Sequence, residues 1–427
     1  MIRSAQAPTK TSKGRILCVT SNFPRWEGDS TTPFVLNLAQ DLQKLGWSVD
    51  VLAPHAPGAA KKERIGEVTV ERFQYLWPEG AETVCYQGGA LINLRRNKMN
   101  AIKLPALVLA EWWAVFRRLV TRRYDAIHTH WILPQGFVGA VSAGLLGVPH
   151  VLTVHGGDVF ALQGRFLRYL KRQALGSADR VTVNSSVTES AVHDIHSSMS
   201  SLKRIPIGVT MQTIDRNAPK VHSIRERYRR GNGPLLVFVG RLVDEKGCAD
   251  LLEAIRLLKT ELPDMSALVI GEGQDRQALE DFAADHCVSD RTTFVGWVQP
   301  HEILAHIAAA DVFVGPSRTG SDGWVEAQGL TFLEAMVAGT PIVATRTGGI
   351  VDSVRDGETG LLVEQRAPDQ IAEAVKRLTG DPELATRLTL QARRLVAAVF
   401  SREVSAAAFD SVFSDLLPQG KHSEQRV

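Results

Sequence analysis

Along the chain, short apolar runs rich in Val, Ile and Leu alternate with longer stretches whose apolar positions recur every three or four residues. The runs predict strands and the stretches predict helices. In the first half RILCVTS, SVDVLAP, VTVERF, DAIHTH, HVLTVH and RVTVNS read as strands. A second series then starts afresh with PLLVFVG, SALVIGEG, TTFVGWV, DVFVGPS, TPIVATR and GLLVE. Nearly continuous apolar strands separated by helices predict parallel sheets with crossover helices. Between the series, RIPIGVTMQTI carries Pro206 and Gly208 and shows no clear period, which marks a hinge. The expectation is an α/β chain of two doubly wound domains, residues 1–207 and 208–399. Pro368 to Leu417 is helix-patterned throughout, and its last helix, about 400–420, needs a face to cover on either the second domain or the first.

Composition narrows the function classes. The chain has 427 residues and a net charge of +3, enough length for two or three domains and too little charge to argue for nucleic acid. Cys18, Cys85, Cys248 and Cys287 form no CxxC pair, so neither a structural zinc site nor a disulfide framework is expected. The polar start MIRSAQAPTKTSKGR lacks an apolar signal core. A reducing cytoplasm is therefore the expected compartment. Leu104 to Phe116, LPALVLAEWWAVF, stands out as strongly apolar, with Arg95, Arg96, Lys98 and Lys103 before it and Arg117, Arg118, Arg122 and Arg123 after it. It is interrupted by Glu111 and too short to span a bilayer. It fits a buried helix with basic ends, or a helix lying on the inner face of an anionic membrane.

In open α/β sheets ligands sit beyond the carboxyl ends of the strands, so those loops carry the candidate chemistry. Arg241 follows the strand PLLVFVG and Lys246 lies five residues on. Two cations there suit a phosphate group, although Lys246 could instead pair with Glu245. Gly271 and Gly273 follow the next strand, but position 276 is Arg, so the GxGxxG dinucleotide pattern fails. These glycines allow a tight turn or close approach of backbone to something flat.

The stretch EAQGLTFLEAMVAGTP holds two glutamates. Leu330, Leu333, Glu334 and Val337 fall on one helix face, and Gly339 and Pro341 end that helix. A carboxylate set among apolar residues costs several kcal/mol unless something donates to it. Ligand hydroxyls could do so, as could a salt bridge. Glu326 lies before Gly329, and an all-helical path would put the two carboxylates about 12 Å apart. That exceeds the 5–9.5 Å of hydrolytic pairs, which argues for two separate ligand contacts. The amides of Gly329, Leu330 and Thr331 open the helix and suit an anion.

Together GRLVDEKG, the GEG loop, EAQGLTFLE with EAMVAGTPIVAT, and DGETGLLV resemble the retaining glycosyltransferases of family 4, and HTHW, TVHGGDVF and IPIGV extend the likeness over nearly the whole chain. The resemblance implies the GT-B fold, two Rossmann-like domains facing across a cleft, with the acceptor on the first and a nucleotide sugar on the second. It implies that Arg241 and Lys246 hold the diphosphate and that Glu334 receives the ribose hydroxyls. Glu326 would bind the donor sugar, Gly329, Leu330 and Thr331 would complete the phosphate cradle, and Gly271, Gly273, Trp297 and Val298 would take the base. His155 would lie beside the anomeric centre. Independently of the likeness, Asp158, after Gly156 and Gly157, is a candidate cap for the helix that follows.

His128 and His130 share a strand face and are expected to line the cleft or pack. Gly28 stands alone where the family carries a Gly-Gly pair against the diphosphate. The sequence contains no DxD motif, so no metal and no cofactor are expected. The implied reaction moves a hexose from a UDP- or GDP-linked donor to a glycan or lipid-linked acceptor. An epimerase of the same fold and a catalytically silent nucleotide-sugar-binding subunit are the alternatives.

Overall fold

A computed structural model describes residues 12–29, 31–86, 89–321 and 323–417. Within them the chain divides into two compact units. One holds the chain up to Val183, Ala191–Ile205 and the segment from Ser405 onward; the other holds Asn184–Ser190 and Pro206–Val404.

The first unit is built on an eight-stranded sheet: β1 (Gly14–Val19), β2 (Trp47–Pro54), β3 (Lys62–Ile65), β4 (Val68–Phe73), β5 (Ala126–His130), β6 (His150–Val154), β7 (Arg180–Val183) and β8 (Leu202–Arg204). Their order is β3-β4-β2-β1-β5-β6-β7-β8. All pairs are parallel except β3 with β4. The central strands are buried from end to end, which is why most of them read as apolar runs, although β5 carries His128, Thr129 and His130 inside. The two edge strands escape the pattern. KERI and LKR are charged and short, as edges that avoid pairing with other chains are.

The second unit carries six parallel strands, β9 (Leu235–Val239), β10 (Ser266–Ile270), β11 (Thr292–Gly296), β12 (Val312–Gly315), β13 (Ile342–Thr345) and β14 (Leu361–Val363). Their order is β11-β10-β9-β12-β13-β14. Each coincides with a run of the second series. The helix Leu330–Ala338 ends at Gly339 in the left-handed region, φ 71°.

The last helix, Arg402–Leu416, belongs almost wholly to the first unit. Its Phe409, Val412 and Phe413 share a core with Ile16, Cys18 and Val49. Phe413 lies 5.6 Å from the Trp47 ring, and Asp410 accepts from Trp47 Nε1 at 2.8 Å. The hinge-like Val209 forms a bridge with Ser401. Among the described residues no helix is long and apolar enough to cross a membrane.

Candidate active site

The strand order of the second sheet reverses between β9 and β12, where chain neighbours leave in opposite directions and a crevice opens at the carboxyl ends. Arg241 follows β9 there with its side chain exposed. Asp244–Lys246 forms a single 3-10 turn closed by Gly247, φ 69°. The Lys246 ammonium pairs not with Glu245 but with the carboxylate of Glu326, from the loop after β12. Lys246 also sits 5.3 Å from the centre of the Trp324 ring.

Two strand-end loops are thus tied together by a cation and a carboxylate, and the backbone reinforces the tie. A Cβ on Gly247 would fall 1.8 Å from the Pro316 oxygen. Arg318 makes a bidentate contact to Asp250 at 2.8 and 2.5 Å and reaches Asp244 at 2.7 Å. The loop after β13 closes the other side. The Gly349 N–H donates to the Glu326 carbonyl at 2.8 Å, and a Cβ on Gly348 would strike that same oxygen at 2.1 Å.

Glu326 precedes the helix, so the separation calculated along a continuous helix does not apply. Gly329 (φ 74°) turns the chain into Leu330–Ala338, and Leu330 and Thr331 open it, both partly exposed. Glu334 lies one turn in. Desolvation pushes its carboxyl from 4.5 up to about 7. Phe332, Leu333, Ala335 and Met336 around it are all buried, which leaves the site apolar and the carboxylate in want of donors.

Gly271 and Gly273 have a different explanation from the flat ligand. A Cβ on Gly271 would lie 1.8 Å from the Gly240 oxygen, and one on Gly273 2.0 Å from the Leu242 oxygen. Leu242 N–H donates to Glu272 O at 2.9 Å. The close approach is made by the chain's own β9 loop, which the glycines hold beside them. Trp297 and Val298 follow β11, the outermost strand; Trp297 is exposed and Val298 is half-buried.

In the first unit the strand order reverses between β1 and β5. His155 follows β6, and its Nε2 lies 2.9 Å from His130 Nδ1. His128 is bonded to Thr153 at 2.7 Å and packs on Phe409 and Phe413. Burial pushes His155 and His128 down to about 3 and His130 well below its ordinary value. These imidazoles are neutral, so in the His130–His155 contact one ring nitrogen donates and the other accepts. Asp158 does not cap the following helix. It lies inside the Gly157–Phe160 turn and accepts from Ile132 N–H at 2.8 Å and His155 N–H at 3.1 Å. Gly28 is exposed, with nothing within 4 Å of a Cβ built on it. Its φ of 84° serves the turn in which Asp29 N–H reaches Trp26 O. Asp29 then grips Arg25 at 2.8 Å.

Sequence reasoning missed Trp324, Arg318 with its two aspartates, and the Thr347–Gly349 loop. The last had a signal in plain sight, a Gly-Gly pair two residues after the strand TPIVAT. Arg318 had none, because Asp250 is 68 residues away.

Solved structures with this architecture define the class. HepE of Anabaena, solved in complex with UDP, superposes with a TM-score of 0.71 at 17% identity, covering 94% of this chain and 100% of its own. Sucrose-phosphate synthase from Thermosynechococcus elongatus gives 0.74 at 22% identity over 95% and 99%. The fold is that of the GT-B glycosyltransferases.

Sequence comparison goes further. Residues 222–395 match the family described as Glycosyl transferases group 1, and residues 31–208 match the glycosyl transferase 4-like domain. The GDP-mannose-dependent alpha-(1-6)-phosphatidylinositol monomannoside mannosyltransferase of Mycobacterium tuberculosis is 34% identical over 63% of this chain and 70% of its own. The D-inositol 3-phosphate glycosyltransferase of Corynebacterium urealyticum is 31% identical over 82% of each. The chain belongs to the group 1, family 4-type glycosyltransferases, enzymes that act on nucleotide sugars.

Proposed function

We propose that the protein transfers a hexose, with retention of anomeric configuration, from a nucleotide sugar to a hydroxyl of a lipid-linked or oligosaccharide acceptor in glycoconjugate assembly. The observation that carries this reading is the Lys246–Glu326 pair at the β9/β12 switch point, between exposed Arg241 and the helix start at Gly329–Thr331. A diphosphate offers Lys246 a more highly charged partner than one carboxylate. Drawing the ammonium to phosphate frees Glu326 to accept from sugar hydroxyls, while Glu334 accepts from the ribose.

As the anomeric C–O bond breaks, the leaving nucleoside diphosphate gathers about three negative charges, which preorganised cations and amides stabilise without reorganising. Arg241, Lys246 and the helix N-terminus supply that potential, so the reaction runs without a metal. The acceptor oxygen forms its bond on the face the phosphate leaves, and its proton passes to a phosphate oxygen. His155, neutral at the end of β6, donates to or packs on the donor sugar. GDP-mannose in one relative's name supports a hexosyl donor, and the phosphatidylinositol monomannoside and inositol 3-phosphate in the two names support an inositol- or lipid-bearing acceptor.

A panel of UDP- and GDP-linked sugars in a thermal-shift assay tests donor binding, because a true donor stabilises the folded state by mass action. With that donor and an acceptor glycolipid, turnover should persist in EDTA. Glu326→Ala should abolish it, and Lys246→Ala should lower it at least 100-fold. Product formation by Glu326→Ala at the wild-type rate refutes the assignment of that residue. Isomerised donor formed without acceptor would point instead to an epimerase.

A further inference from the structure

We infer that one outer face of the first unit, formed by the helices Asn100–Thr121, Phe137–Leu146 and Arg165–Gly176, docks on an anionic lipid surface. The apolar segment noted in the sequence lies within the 22-residue helix Asn100–Thr121. That helix is apolar on two opposite sides. Leu107, Glu111, Val115 and Leu119 are buried against the unit. Ile102, Leu109, Trp113 and Val120 are 71, 65, 57 and 58% exposed. At 3.6 residues per turn these four fall within about 20° of one line, a stripe about 27 Å long. Such a stripe is more than an ordinary surface helix shows, because a single amphipathic face normally suffices to cover a core.

Glu111 looks in the sequence like the charge that spoils this segment, but it points the other way. It is fully buried, and Gln135 Nε2 donates to it at 3.2 Å.

The neighbouring helices extend the same surface. Phe137–Leu146 packs between the other two and exposes Leu145 at 65%; Arg165–Gly176 exposes Phe166 at 70% and Tyr169 at 58%. Charge selects the partner. The three helices contain a single acidic residue, the buried Glu111, in a chain whose 49 basic and 46 acidic residues nearly balance. Lys98, Arg117 and Arg123 flank the stripe, and Arg165, Arg168 and Arg172 line the third helix, all exposed. Aromatic and aliphatic side chains ringed by cations, with no exposed acid on these helices, complement a headgroup layer of negative charge. A second copy of this chain would bring the same cations against themselves.

Flotation with vesicles of phosphatidylcholine alone and with 30% phosphatidylglycerol tests this, at low and high salt. Wild-type protein should float with the anionic vesicles and be released as salt screens the cations. Leu109→Gln/Trp113→Gln should lower the partition coefficient at least tenfold. The same double variant should keep the wild-type thermal shift with nucleotide sugar, which shows that it folds and separates this inference from the donor assignment. Equal flotation of the double variant, absence of wild-type flotation at low salt, or concentration-dependent dimerisation through this face without flotation would each overturn it.

Discussion

Glu334 is a carboxyl held at about 7 by the apolar wall around it, and that displacement has a consequence for stability. Below its ordinary 4.5 both folded and unfolded chains hold the proton. Between 4.5 and 7 the unfolded chain ionises first, so wild-type protein loses stability as pH rises through that window. Glu334→Gln removes the effect. At pH 8 the variant should be about 1–3 kcal/mol more stable than wild type and at pH 4 equal to it, while binding donor more weakly. Urea unfolding at the two pH values measures this; equal differences at both would show that the carboxyl is not desolvated. His155 works by the opposite displacement. Held neutral far below pH 6, it should impose no titration on kcat/KM between pH 5 and 8, although His155→Ala should lower turnover.

Among the elements, the strand-end loops position the functional side chains by packing on each other's backbone. Arg318 and Asp250 are 10 and 8% exposed at the side chain and clamp the loop after β12 to the helix Cys248–Leu258 that follows the β9 loop. Removing one partner leaves a buried charge unpaired, which costs about 3–5 kcal/mol. Arg318→Ala should therefore lower stability by that order and weaken donor binding too, since Glu326 rides on the same loop. Chemical denaturation paired with donor titration separates the two effects. Gly271 and Gly273 belong to the same construction. A methyl at either meets a carbonyl within 2.0 Å, so Gly273→Ala should disturb the β9 loop, and with it Arg241, although neither glycine is required to touch a ligand.

At the scale of the whole molecule, the chain's last helix completes the core of its first sheet. Phe413 is fully buried there, and Phe413→Ala should cost about 3–5 kcal/mol, seen as a lower first transition if the two units melt separately in calorimetry. The strands of both sheets were legible because burial on both faces leaves an apolar run no alternative reading. The edge strands β3 and β8 were not, because an edge carries no such signature. Arg241, Lys246, Glu326 and Glu334 were legible as candidates, since two cations beyond a strand end suit a phosphate and a carboxylate on an apolar helix face lacks donors. What the amino-acid order determined by itself was the alternation of elements and the chemical types set at their ends, both local properties of the chain. Tertiary structure alone decided that Lys246 turns to Glu326 rather than to Glu245, that the GEG glycines face backbone, and that Glu111 lies beneath an apolar stripe. Each depends on groups far apart along the chain, whose meeting is set by sheet order and packing rather than by any nearby residue.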